Sequence, residues 1–86
     1  MSDYVQMAKQ KAASYGIIIH EMPKSSNKKF YTIVDGKIIK FGQRPYEDYL
    51  THQDDNRRMR FHQRFKNSKG YDDPRSPLFY SRIILW

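Results

Sequence analysis

Cysteine is absent from the 86 residues, which removes disulfides, thiolate metal ligands and thiol nucleophiles together. That absence fits a reducing compartment. Glycine and proline are scarce, four of each, and no glycine-rich loop of the kind that cradles a nucleotide occurs. The only nearby glycines around a turn, Gly36 and Gly42, read as hairpin and strand-exit residues. The longest apolar run, Ile17-Ile18-Ile19, falls far short of the ~20 residues that a membrane span requires. The opening MSDYVQMAKQK lacks the apolar core of a secretory signal. The expected setting is soluble, intracellular or inside a larger particle. Histidine is also sparse, and His20, His52 and His62 show no metal-ligand spacing. Asp48, Asp54, Asp55, Asp72 and Asp73 could hold a divalent ion beside Arg57, as in small nucleases, but no compact catalytic signature accompanies them. No catalytic, metal or cofactor-binding residue is therefore expected, and no small-molecule substrate.

What is abundant is positive charge and aromatic surface. Sixteen Lys and Arg against nine Asp and Glu give a net charge of +7. That excess suits a polyanion or an acidic protein surface, although solubility alone accounts for a magnitude of about 2 to 8. Seven Tyr, five Phe and one Trp exceed what a small core can bury, so part of this surface suits a partner. The length makes one domain, 1–86, whose folding buries only about 60 to 65 % of its unfolded surface.

Along the chain, residues 1–16 read as an N-terminal helix. Val5, Ala8, Ala12 and Tyr15 recur at helical spacing from Asp3 to Tyr15, Ser2 or Asp3 can cap it, and Gly16 ends it. Residues 17–41 read as a β-meander. Ile17 to Glu21 is a β-branched strand; KSSNKK, Lys24 to Lys29, is a basic loop, either a solvated hairpin tip or a phosphate finger. Phe30 to Phe41 is a hairpin closed by Asp35-Gly36, with Val34 opposite Lys37, Ile33 opposite Ile38, Thr32 opposite Ile39 and Phe30 opposite Phe41. Residues 42–86 form a basic, aromatic, helical half. Thr51 and Asp54 resemble a capping arrangement. At about 100° per residue, Phe61 and Phe65 share a stripe, with Leu50 in line if the helix starts early. Arg57, Arg60 and Arg64 run beside that stripe and Arg58 borders its other side. Ser76-Pro77 opens a last helix through Trp86. Its apolar end is either a core plug or a docking element. The expected fold is α+β, a three-stranded antiparallel sheet packed with about three short helices.

Two roles compete for the basic residues. Arg44, Arg58, Arg60, Lys66, Lys69 and Arg75, with Tyr46, Tyr71 and Trp86, form the candidate surface for phosphate or a partner. Alternatively, some arginines fasten the fold from within: Arg57 or Arg64 could grip Asp48 or Asp54 bidentately.

The string FGQRPYEDYLTHQDDNRRMRF, followed by DDP and the closing SRIILW, resembles a family of small basic proteins. These are encoded by large double-stranded DNA viruses of the iridovirus and phycodnavirus type, their giant relatives and some aquatic phages. Phe41, Gly42, Tyr46, Asp48, Tyr49, His52, Asp54, Arg57, Arg64, Ser81, Arg82, Leu85 and Trp86 match the family pattern. Leu50 stands for the usual Thr, Gln53 for a Lys, Phe61 for a Tyr and Phe65 for a His. The match covers about half the chain and omits the N-terminal helix. The resemblance implies a viral, non-enzymatic protein and supplies no catalytic residue. Its matched residues look like a structural cluster, in which His52 and Asp54 clamp a helix start while Arg57 and Arg64 tie it to the Tyr46–Tyr49 segment.

The function expected on these grounds is a minor capsid or virion-associated, cement-like component that binds other virion proteins. Its location would be the virion, and the host cell interior during assembly. The alternative is a DNA-binding or genome-packaging protein whose arginine-rich helix meets the phosphates of double-stranded DNA.

Overall fold

Asp35 and Gly36 both hold positive φ angles, 51° and 77°, as a type I′ turn requires. The hairpin they close belongs to a computed structural model that describes residues 3–86. Strand β2, Lys28–Val34, pairs antiparallel with β3, Lys37–Gln43. The register sets Val34 opposite Lys37, Ile33 opposite Ile38, Thr32 opposite Ile39 and Phe30 opposite Phe41, all four as expected. A short β1, His20–Glu21, completes a sheet of order β1-β2-β3.

That first strand is shorter than the five residues expected. The Ile17 amide donates to the Ala12 carbonyl and the Gly16 amide to the Ala13 carbonyl, which is the double bond of a Schellman helix end. The Ile18 carbonyl is taken by the Thr32 hydroxyl at 2.8 Å. Side-chain and helix-end bonds thus replace the ladder, and pairing begins only at His20 with Tyr31.

Helix α1 spans Asp3–Ser14. Ala8 and Ala12 are fully buried and bring its backbone close to the core, while Tyr4 and Val5 pack at the margin. Tyr15, expected on the same stripe, is 55 % exposed. It lies beyond the helix, where the chain is already turning. The expected Ser2 cap lies outside the described residues.

The C-terminal segment closes the core. Ser76 caps α4, Pro77–Tyr80, its hydroxyl accepting from the Leu78 amide with Pro77 in the first turn. The chain then widens into a π-helical turn, Ser81–Leu85, closed by the Trp86 amide donating to the Ser81 carbonyl. In an α-helix, Tyr80 and Leu85 lie ~140° apart. A turn closed by i→i+5 bonds advances by roughly 80° per residue, so Tyr80, Ile84 and Leu85 all reach one face and all three are buried. Of the two readings of the apolar end, the core plug is the one observed.

Between these elements lies an aromatic row: Tyr4 to Phe30, Phe30 to Phe41 and Phe41 to Tyr80, with centroids 5.9, 6.0 and 5.8 Å apart. Phe30, Thr32, Ile39 and Phe41 form the covered sheet face. On the other face Ile33 and Ile38 remain 58 % and 61 % exposed. Among the described residues, four short α-helices and the π turn surround the three strands, so the fold is α+β. Among the described residues no helix is long and apolar enough to cross a membrane.

Candidate interaction cleft

Asp54 organises the basic helix. Its carboxylate accepts from the amides of Asn56 (2.9 Å) and Arg57 (3.2 Å), and its own amide donates to His52 Nδ1 at 2.9 Å. These bonds start α3, Asp55–Phe65. The expected earlier start at Thr51 does not occur. Thr51 and Leu50 belong to a separate one-turn helix α2, Tyr49–His52, which Gln53 ends in the left-handed region at φ 56°. His52 and Asp54 are thus the helix-start clamp, as expected.

The Arg57 amide, followed by the Asn56 amide and the nearby Arg57 charge, holds the Asp54 carboxyl below its ordinary value of 3.8. A depressed carboxyl contributes stability above its unfolded pKa and loses it as pH falls through the lower folded value. Asp54→Ala should therefore lower the melting temperature by about 5 °C near neutral pH. The gap from wild type should shrink in acid well below pH 3.8. Melting curves at both pH values check this, and equal melting temperatures near neutrality would deny the cap its role.

Asp48 behaves differently. Its backbone opens α2, but its side chain makes no cap bond; it turns inward and is 2 % exposed. Oδ2 accepts from the Tyr4 hydroxyl at 2.5 Å and from Lys29 Nζ at 2.9 Å. Burial, and then the bond to Asp48, pushes the Tyr4 hydroxyl far above its ordinary pKa, so it remains a donor. Oδ1 is buried without a partner, a condition that costs about 1–3 kcal/mol in a closed interior. The arginine grip proposed for Asp48 is therefore corrected: the partners are Lys29 and Tyr4. Lys29 was not anticipated as a site residue, since strand alternation gives no sign of a contact 19 residues away.

Gly42 allows this arrangement. Its φ is +79°, and a Cβ there would stand 3.0 Å from both Leu85 Cδ1 and Lys29 Cβ, tighter than side chains ordinarily pack.

Above Asp48 opens a cleft of about 560 Å³ between the far end of the hairpin and α3, walled by Phe61, Phe65, Leu85 and Trp86 and lined also by Lys29, Glu47 and Arg64. Tyr46, 69 % exposed, also lines it. Phe61 and Trp86 stack nearly parallel, 3° between planes and 4.5 Å between centroids, with Phe65 4.8 Å from Phe61. A second groove of about 380 Å³ continues from it along α3, lined by Arg57, Arg60 and Arg64 over the same three rings.

The other expected surface residues divide sharply. Arg44 is an internal clamp, not a contact residue: its guanidinium donates to the carbonyls of Met22, Pro23 and Ser26 and straps down the basic loop. Arg58 is likewise engaged, with Nε on the Trp86 carbonyl at 2.8 Å and its guanidinium over the Tyr49 ring. Tyr71 is corrected too. Its hydroxyl meets His62 Nδ1 at 2.7 Å, its ring lies under Arg82, and its carbonyl accepts from Arg82. Arg75 lines a separate groove beside the hairpin turn. Lys66 and Lys69 are exposed and line neither α3 groove.

Arg57 reaches Glu47 at 3.4 Å on the surface, a loose tie to the Tyr46–Tyr49 segment. Arg64 makes no such tie; it lies over the Phe65 ring. Among the described residues no carboxylate pairs with Arg60 or Arg64. The candidate contact residues that line the two grooves are Arg57, Arg60 and Arg64, with Tyr46 and Trp86.

Fold and cleft together define a small basic α+β protein with an aromatic groove edged by arginine. Residues 22–65 match a family of unknown function, DUF5754, and the chain belongs to that family. The matched span runs from just after β1 through α3 and holds Lys29, Asp48, Arg57, Arg60 and Arg64. No curated protein and no solved structure shows significant similarity.

Proposed function

We propose that the chain is a non-enzymatic structural protein of a large double-stranded DNA virus, a cement-like piece that joins other virion proteins. The observation that supports this is a pair of unlike surfaces that the fold leaves unused. One is the arginine-edged aromatic cleft. The other is the bare sheet face, where Ile33 and Ile38 face each other across the strands, with Ile18, 76 % exposed, in the segment leading into β1. Exposed isoleucines clustered on a sheet suit protein contacts. The two surfaces are separated along β3, the isoleucines beside the turn and the cleft at the opposite end, which suits a bridging piece. The family resemblance supports a virion location and, during assembly, the host cell interior.

A second reading, DNA binding for genome packaging, draws on the three arginines in one groove. Against it stand Glu47 and Asp48 in the adjoining cleft and the internal engagement of Arg44 and Arg58.

Fractionation of purified particles tests the two. The protein should stay with the capsid shell after the genome is released and digested. Loss with the DNA, or absence from purified particles, would overturn the structural reading.

A further inference from the structure

Resting on the reading of this chain as an interaction protein, we propose that the free edge of β3 takes up an extended segment of a partner protein as a fourth strand. The segment runs antiparallel to β3, with a carboxylate opposite Lys40 and a β-branched residue opposite Ile38. Three observations define that occupant.

The first is an open ladder. The sheet order is β1-β2-β3, so β3 is an edge. In a two-residue hairpin the pair flanking the turn is hydrogen-bonded, and bonded pairs then alternate along the strands. Val34 with Lys37, Thr32 with Ile39 and Phe30 with Phe41 are therefore the bonded pairs. The amides and carbonyls of Ile38, Lys40 and Gly42 point away from β2. Gly42 is engaged, its amide donating to the Ser81 hydroxyl at 3.3 Å. Ile38 and Lys40 are exposed, and among the described residues no other element bonds their backbone. An antiparallel strand satisfies the amide and the carbonyl of both.

The second is charge. Lys37 and Lys40 lie on β3, and Arg75 lines the groove of about 480 Å³ beside it. Among the described residues none of the three pairs with a carboxylate. Lysine on an edge strand repels a like edge and by the same charge admits an anionic one. Asp35, which also lines the groove, sits in the turn beyond Lys37, so the incoming carboxylate belongs at the other end, opposite Lys40. The side chain between the two named positions enters the groove over Val34 and Ile39.

The third is the bare face. Ile33 and Ile38 stand opposite each other there, both more than half exposed. A β-branched residue opposite Ile38 extends that row by one strand. A second copy of the chain meets the first and third conditions but not the second, because its β3 holds no acidic residue.

The isotopically labelled full chain is titrated with the capped pentapeptide Thr-Glu-Val-Ile-Thr and followed by amide NMR. The Ile38 and Lys40 amide signals should shift saturably and exchange with solvent more slowly. Replacing the peptide's glutamate by lysine should weaken binding about tenfold. N-methylation of its isoleucine should abolish binding, since the methyl group replaces a ladder proton. Lys40→Glu, a change at an exposed residue, should reverse the preference between the glutamate and lysine peptides. The absence of a saturable shift, equal binding of the N-methylated peptide, indifference to peptide charge, or shifts confined to the α3 grooves overturns the proposal. So does protection of the Ile38 and Lys40 amides in concentrated protein alone, which assigns the edge to a second copy. The peptide comparisons use the unaltered protein and do not depend on a variant folding. Failure here with the protein still in the capsid shell rejects the strand site alone, whereas absence from the shell rejects the structural role.

Discussion

Phe41→Ala should cost about 3–5 kcal/mol of stability and leave the chain partly unfolded at physiological temperature. Phe41 is wholly buried, with Phe30 on one side and Tyr80 on the other. It is therefore the ring that joins sheet to C-terminal segment. Large-to-small changes lose both the transfer energy of the ring and the contacts around the resulting void. In a domain of this size each kcal/mol moves the midpoint by about 4–8 °C, so the melting temperature should fall by roughly 12–40 °C. Thermal melts followed by circular dichroism measure this. Ile38→Thr provides the contrast: its side chain is mostly exposed, and its effect should stay within about 0.5 kcal/mol. A loss below about 1 kcal/mol for Phe41→Ala would mean that the aromatic row is not the core.

Lys29→Met should cost about 3 kcal/mol, and adding Asp48→Asn should recover most of it. Lys29 and Asp48 are 12 % and 2 % exposed. Methionine matches the lysine stem in size but removes the cation, leaving a buried carboxylate with only the Tyr4 hydroxyl. Asparagine then removes the charge and keeps an oxygen for Tyr4 to bond. Denaturant melts of the two single variants and the double variant form a cycle whose coupling term should be large and favourable. Additive effects would show that Lys29 and Asp48 are not a pair.

The elements most legible in the sequence are those set by neighbouring residues. The Asp35-Gly36 turn dictates its own register through backbone geometry, and alternation then fixes which residues face inward. Ser76-Pro77 likewise announces a helix start, because hydroxyl and missing amide act within one turn. Illegibility begins where a bond spans the chain. Arg44 and Arg58 look identical to Arg60 and Arg64 as residue types, yet the first two serve carbonyls 18 to 28 residues away. Ile17 to Glu21 has strong β propensity, but Thr32 takes a carbonyl from it, and propensity alone carries no warning of that. The candidate cleft was legible in its arginines and aromatics. It was hidden in its floor, where Asp48 meets a tyrosine and a lysine from two other elements.

The π-helical turn after Tyr80 makes composition, more than chain length, the constraint on this segment. With five residues in the turn, neighbouring Ile84 and Leu85 can both be inward, and Trp86 arrives against Phe61. Five steps of roughly 80° and four steps of about 100° end at the same angle. Removing Ile83 would therefore restore ordinary helical pitch and still leave Leu85 beside Gly42 and Trp86 at the cleft wall. The segment has one residue of slack in its length, whereas Ile84 and Leu85, both wholly buried, leave none in what it is made of.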